Sequence, residues 1–129
     1  MPVNENLITP EVFDRLQKAT AADPAELAGL YRAYLGEARE ALVQLHLALA
    51  RHDSEAFRER AHYVRGSSLI VGATLVARSC ANLELIARNS ELGEAAGLLD
   101  QTSAALDAVE AELAKRLGPA VVPVEGSAA

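Results

Sequence analysis

The chain has no tryptophan, one methionine, one cysteine, and only three tyrosines and two phenylalanines in 129 residues. A lone Cys80 excludes an internal disulfide and a cysteine-built zinc site. Aromatic residues make up 4% of the chain, while half of it is hydrophobic and much of that half is alanine and leucine, which suits close helix–helix packing. Basic residues are outnumbered by acidic ones, giving a net charge of −6 and a pI of about 5.0. That balance argues against nucleic acid as a partner, because phosphate binding needs a basic footprint. No apolar run is long enough to cross a bilayer. The opening MPVNENLITPE lacks the basic-then-apolar pattern of a signal peptide, so the cytoplasm is the expected location. A chain of this length is one domain, able to bury a core without staples.

What is present is helical periodicity. Thr9, Pro10 and Glu11 form a start signal for a short first helix. Asp23, Pro24 and Glu26 form a stronger one, with the spacing of a capping box. The apolar positions that follow, Leu27, Leu30/Tyr31, Tyr34/Leu35, Ala38, Leu42, Leu45 and Leu49, predict a helix over about 24–51. Asp53 or Ser54 caps the next, where Phe57, Ala61, Val64, Ser68 and Val71 form a narrow seam over about 54–71. LIVGATLV could be a strand and turn, but its flanks are helical and no second strand exists to pair with it, so Gly72 is read as a break between helices. A third long helix carries Leu75/Val76, Ser79/Cys80, Leu83 and Ile86/Ala87, and Asn89 can close it with Ser90 capping the next. The fourth carries Leu92, Ala95, Leu99, Thr102/Ser103, Leu106, Val109, Leu113 and Leu117, and stops at Gly118-Pro119. The expectation is an all-α fold: an antiparallel up-down-up-down four-helix bundle over 9–118 with a short extra N-terminal helix. Residues 1–8 are expected to be a flexible N-terminus and 119–129 a disordered tail.

Of three histidines, His46 sits about 100° off its helix's apolar stripe and His52 lies in a connection, so both read as surface residues. His62 differs in its company. Arg58, Glu59, His62, Arg65 and Gly66 share one helix face, with Leu69 two turns above, and this face points away from the apolar seam. A glycine in a helix interior costs about 0.8–1 kcal/mol relative to alanine. Beside a histidine it leaves the imidazole uncrowded. Such a patch suits phosphoryl transfer: free imidazole titrates near pH 6.5, so a neutral nucleophile is available near neutrality. Cationic side chains stabilise the charge spread over the phosphoryl oxygens. Ser67 and Ser68 lack a base–carboxylate pair, and Cys80 lies on an apolar stripe. Glu59-x-x-His62 has di-iron spacing, but neither His46 nor His52 supplies the second copy that such a site needs.

The stretch AHYVRGSSLIVGATLVARSCANLELIAR, Ala61 to Arg88, resembles the histidine-containing phosphotransfer (HPt) domains of two-component phosphorelays. Their signature runs approximately A-H-x-L-K-G-S-[SA]-x-x-[LIV]-G-A-x-x-L-A-x-x-C-x-x-L-E. Ala61-His62, Gly66-Ser67-Ser68, Gly72-Ala73, Ala77, Cys80, Leu83 and Glu84 match it. Arg65 replaces the usual lysine and keeps its charge, and Val64 replaces the usual leucine. The resemblance implies that His62 is the phosphoacceptor, taking a phosphoryl group from a receiver-domain aspartyl phosphate and passing it to another receiver. Arg65 would stabilise the phosphoryl charge, and Arg58, Gly66 and Leu69 would help dock the partner. Implied partners are receiver domains of a hybrid histidine kinase or a response regulator, met by a monomer. No cofactor or metal is implied for this chain, since the Mg2+ belongs to the receiver. No ATP-binding motif is apparent, so no autokinase activity is expected. The competing reading is a non-catalytic helical adaptor, for which His62→Gln would leave partner binding and signalling unchanged. Glu84 receives no assignment from the sequence.

Overall fold

A computed structural model describes residues 7–89 and 91–123. Among these residues there are five α-helices and no strands: α1 (Pro10–Ala19), α2 (Pro24–Ala50), α3 (Ser54–Val71), α4 (Thr74–Arg88) and α5 (Ala95–Leu117). No proline interrupts the chain between Pro24 and Pro119, so nothing breaks a helix from within. The punctuation comes from caps. Asp23 accepts a hydrogen bond from the Ala25 amide and Asp53 from the Ala56 amide, each serving an amide that has no partner inside its helix. Gly72 ends α3 in the left-handed region, at φ +83°, and its amide and that of Ala73 close the last turn.

α2 to α5 run up and down as a four-helix bundle, each joined to the next by a short connection. Its core is aliphatic and small: Leu35, Leu45, Phe57, Ala61, Val76, Leu83, Leu99, Leu106, Val109 and Leu113 are almost fully buried. Ala61, Ala73, Ala77 and Cys80 on the α3–α4 seam let those two helices approach closely. Buried hydroxyls find partners inside the bundle. The Tyr34 hydroxyl and Ser68 Oγ are 2.6 Å apart, and the Tyr31 hydroxyl donates to the Val71 carbonyl at 3.0 Å. Burial pushes the Tyr31 phenol up to about 12. No helix among the described residues is long and apolar enough to cross a membrane.

The ends of the chain depart from the sequence expectation. The segment 1–8 is not wholly a flexible lead: Leu7 and Ile8 are buried in the core, while residues 1–6 lie outside the described residues. Their burial follows from a clasp. The Thr9 amide donates to the Gly72 carbonyl at 2.9 Å, and Thr9 Oγ1 lies 2.6 Å from Thr74 Oγ1. Thr9 is thus spent on the α3–α4 turn and does not cap α1 with its side chain. α1 itself buries no residue fully; its Phe13 ring stacks on Tyr31, with the Arg116 guanidinium 5.0 Å from the ring centre. The tail is also ordered further than expected. Gly118, at φ +89°, turns the chain back, Pro119–Val121 forms a 3-10 turn, Val121 is fully buried, and Arg32 donates to the Ala120 carbonyl. Residues 124–129 lie outside the described residues, as does the expected cap Ser90. The last long helix starts at Ala95, because Leu92–Glu94, with the poor helix former Gly93, tightens into a 3-10 turn.

Candidate functional site

The outer face of α3 gathers the residues that the sequence singled out. His62 is exposed, with 62% of its side chain accessible. Gly66 stands one turn above it and is exposed, Arg58 one turn below is half-buried, Arg65 is half-buried, and Leu69 is 55% exposed. Ala61, Val64 and Ser68 face inward on the same helix, as the apolar seam requires. His46 and His52 are exposed and remote from any such grouping.

The surface around His62 is more apolar than Leu69 alone makes it. Ile70 is 68% exposed and Tyr63 is 48% exposed. They lie four residues after Gly66 and three before it, so they border the bare patch that the glycine creates. The Tyr63 hydroxyl donates to Glu37 Oε1 of α2 at 2.9 Å, which holds the ring on the surface. The spacing to Gly66 was the available signal for both residues. A methyl group at Gly66 would meet nothing within 4 Å in this chain. Gly72 is the opposite case: a Cβ there would lie 3.0 Å from Val12 Cβ, on a backbone that L residues rarely adopt. Packing within the molecule explains Gly72 and leaves Gly66 unexplained.

The residue that the sequence left unassigned is the one that organises the site. Glu84 projects from α4 toward α3 with only 7% of its side chain exposed. Its Oε1 lies 3.0 Å from His62 Nδ1, and its Oε2 lies 2.7 Å from Arg65 Nε. The Arg65 contact is an ion pair whose N–H···O alignment falls short of a hydrogen bond, so Nε and Oε2 have no hydrogen-bond partner and only each other's charge. A signal for Glu84 did exist. It stands four residues after Cys80 and seven after Ala77, on the buried side of α4, where a carboxylate must find partners. Which partners those were is a tertiary fact that spacing does not carry.

The chemical consequence is a fixed tautomer. An ionised carboxylate can only accept, so Nδ1 carries the proton, and in the neutral imidazole Nε2 then keeps its lone pair. Nε2 makes no hydrogen bond to any described residue. Arg65 is anchored through Nε and retains its terminal NH2 groups as donors. The site thus presents an oriented, accessible nitrogen nucleophile beside a cation, on a face with an apolar margin. Cys80, just beneath, does not compete: it is fully buried, and burial, with a contribution from the Glu84 charge, pushes its thiol up to about 12.

The Hpt domain family model matches residues 29–112. The structure resembles that of histidine-containing phosphotransfer protein B (HptB) from Pseudomonas aeruginosa PAO1, with a TM-score of 0.79 and 30% sequence identity over 85% of this chain and 93% of that one. No curated protein matches the chain significantly. The family match covers the whole of α3 and α4, including His62, Arg65, Gly66 and Glu84, and the chain belongs to the Hpt family of histidine phosphotransfer domains that act in phosphorelays.

Proposed function

We propose that His62 is the phosphoacceptor and that the chain relays a phosphoryl group between receiver domains. The observation that carries this is the state of the imidazole: exposed, held at Nδ1 by a buried carboxylate, and open at Nε2. In the accepting step the Nε2 lone pair forms a bond to phosphorus as the bond to the partner's aspartyl oxygen breaks. The aspartate leaves as a carboxylate with the bonding electron pair. No proton has to move, because Nδ1–H stays with Glu84, whose negative charge offsets the positive charge that develops on the ring. Donation to the next receiver is the same step reversed. Arg65 supplies charge to the phosphoryl oxygens through its terminal nitrogens.

Docking follows from the same face. Gly66 allows a partner's backbone to come close, Leu69 with Ile70 and Tyr63 gives the apolar contact, and Arg58 stands at the rim. The chain acts as a monomer in the cytoplasm, meets the receiver of a hybrid kinase or of a response regulator, and needs no metal or cofactor of its own. The Mg2+ of the reaction sits in the receiver. Autophosphorylation from ATP is not part of this reading.

The test is incubation with a phosphorylated receiver. The expected outcome is acid-labile, base-stable phosphate on His62 and its complete loss in His62→Gln, with the variant still folded because the side chain is exposed. A His62→Gln protein that bound receivers and signalled as before, from a wild type that takes no label, would establish a non-catalytic adaptor instead.

A further inference from the structure

Tyr63 follows His62 in the chain, and that single step turns it about 100° around α3, to the side that meets α2. Gly66 stands four residues after His62 and three after Tyr63. The bare patch therefore has the imidazole on one flank and the phenol ring on the other. An aromatic side chain that is 48% exposed would ordinarily sample several rotamers. Here it is held from two sides. Its hydroxyl donates to Glu37 Oε1 of α2 at 2.9 Å, and the Arg60 guanidinium lies 5.8 Å from the ring centre. Glu37 is exposed and forms no ion pair among the described residues; its side chain meets the Tyr63 hydroxyl instead. The bond does little for the fold. Phe57, Ala61 and Val64 already bury the inner face of α3 in the bundle core, and a hydrogen bond on the open surface contributes little to stability. Its effect falls on the ring. A ring already in place when a partner arrives avoids the ordering that a mobile side chain undergoes on binding.

We propose that Glu37 is a positioning residue for receiver docking: it presets Tyr63 as a rigid anchor, and the fixed ring selects which receivers the chain accepts. This deepens the docking reading above and rests on it. Glu37 is new to the site. Tyr63 changes from one part of an apolar margin to the side chain that fixes where the partner's segment lies over Gly66. A receiver fits when the surface that crosses Gly66 offers an apolar notch at the place of the ring. One without that notch is held off, because the ring cannot turn aside. Selection thus sits on the α2 flank, away from the imidazole, whose chemistry is the same for every receiver.

The test is transfer to His62 from a receiver domain phosphorylated by acetyl phosphate, measured over a range of receiver concentrations so that KM and kcat separate. The variants are Tyr63→Ala, Tyr63→Phe, Glu37→Ala, Glu37→Gln and the combination of Tyr63→Phe with Glu37→Ala. Glu40→Ala is the control: Glu40 is an exposed acid one turn along α2 that accepts from Gln44 instead. Tyr63→Ala should raise KM by roughly ten- to thirtyfold, the loss typical of an aromatic anchor. Tyr63→Phe and Glu37→Ala should each raise it by roughly two- to tenfold, the effect of leaving one side chain to be ordered on docking. The combination should go no further, because both changes break one bond. Glu37→Gln, whose amide oxygen still accepts, should stay within about twofold of wild type, and Glu40→Ala should match it. The kcat should hold throughout, since Glu84 and Nε2 are untouched. A receiver that the wild type uses poorly should be used no worse by Glu37→Ala, so the kcat/KM ratio between the two receivers falls. Circular dichroism should show all variants equally folded, because both residues are on the surface. A wild-type KM in both Tyr63→Phe and Glu37→Ala would overturn the positioning role while leaving His62 as the acceptor. So would additive losses in the combination, or a Glu37→Gln as impaired as Glu37→Ala. Absence of label on His62 in the wild type overturns the acceptor reading and the anchor with it.

Discussion

Glu84 is a carboxylate that the core tolerates because two side chains of another helix meet it. Removing one partner from a buried charge pair typically costs about 3–5 kcal/mol, since the other charge is left unsolvated. Glu84 stands at the edge of burial and Arg65 is 39% accessible, so a smaller loss applies here. Glu84→Ala is therefore expected to lower stability by about 1–2 kcal/mol in urea unfolding. The functional effect should exceed the structural one. Without the carboxylate nothing fixes the proton on Nδ1, and part of the imidazole population turns its lone pair inward. The 15N spectrum of His62 separates the two effects. Wild type should show Nδ1 protonated and Nε2 bare, Glu84→Ala a mixture, and Glu84→Gln, whose amide oxygen still accepts, an intermediate state with most of the transfer rate retained. An unchanged tautomer in Glu84→Ala would leave Glu84 as a purely structural residue.

At the scale of elements, the two glycines of the α3–α4 hairpin give opposite expectations. Gly66 is helical, exposed and surrounded by open space, so Gly66→Leu should raise stability by up to about 1 kcal/mol from helix propensity alone. The same variant should be phosphorylated poorly by a receiver, because a leucine one turn above His62 stands where the partner must come. Gly72→Ala should destabilise by about 1–2 kcal/mol, from its positive φ and the Val12 contact that ties α1 to the bundle, while leaving the His62 face intact. Thermal melts paired with transfer assays on both variants check the crossing: stable but inactive against unstable but active. The contrast also marks what a linear sequence discloses. Helix starts at Asp23 and Asp53 and the stop at Gly72 were legible because caps are local chemistry, and the apolar seams located the core. His62, Arg65, Gly66 and Leu69 were legible because helical periodicity places them on one face. Glu84 was not, since its role depends on how α4 lies against α3. The burial of Leu7, Ile8 and Val121 was hidden for the same reason: each is held by contacts distant in sequence.

Across the whole molecule, charge is unevenly divided. α3 and α4 together carry five arginines, Arg58, Arg60, Arg65, Arg78 and Arg88, against three glutamates, Glu55, Glu59 and Glu84. That is +2 in a chain of −6, so the remainder carries −8. The hairpin that bears His62 is a positive region on an acidic molecule. A receiver site built to hold an aspartyl phosphate and Mg2+ is lined with carboxylates, and it meets the arginines with attraction while the rest of the surface repels it. Such a field steers orientation before contact and acts on the rate of encounter more than on the lifetime of the complex. Association with a phosphate-donating receiver, followed by stopped flow, should therefore slow by roughly tenfold as salt rises from about 0.05 to 0.5 M, where the screening length falls to a few ångströms. Dissociation should change far less, because Leu69, Ile70 and Tyr63 supply apolar contacts that salt does not weaken. An association rate that stays flat over that range would mean that the apolar margin alone guides docking, and that the arginines act only after the partner has arrived.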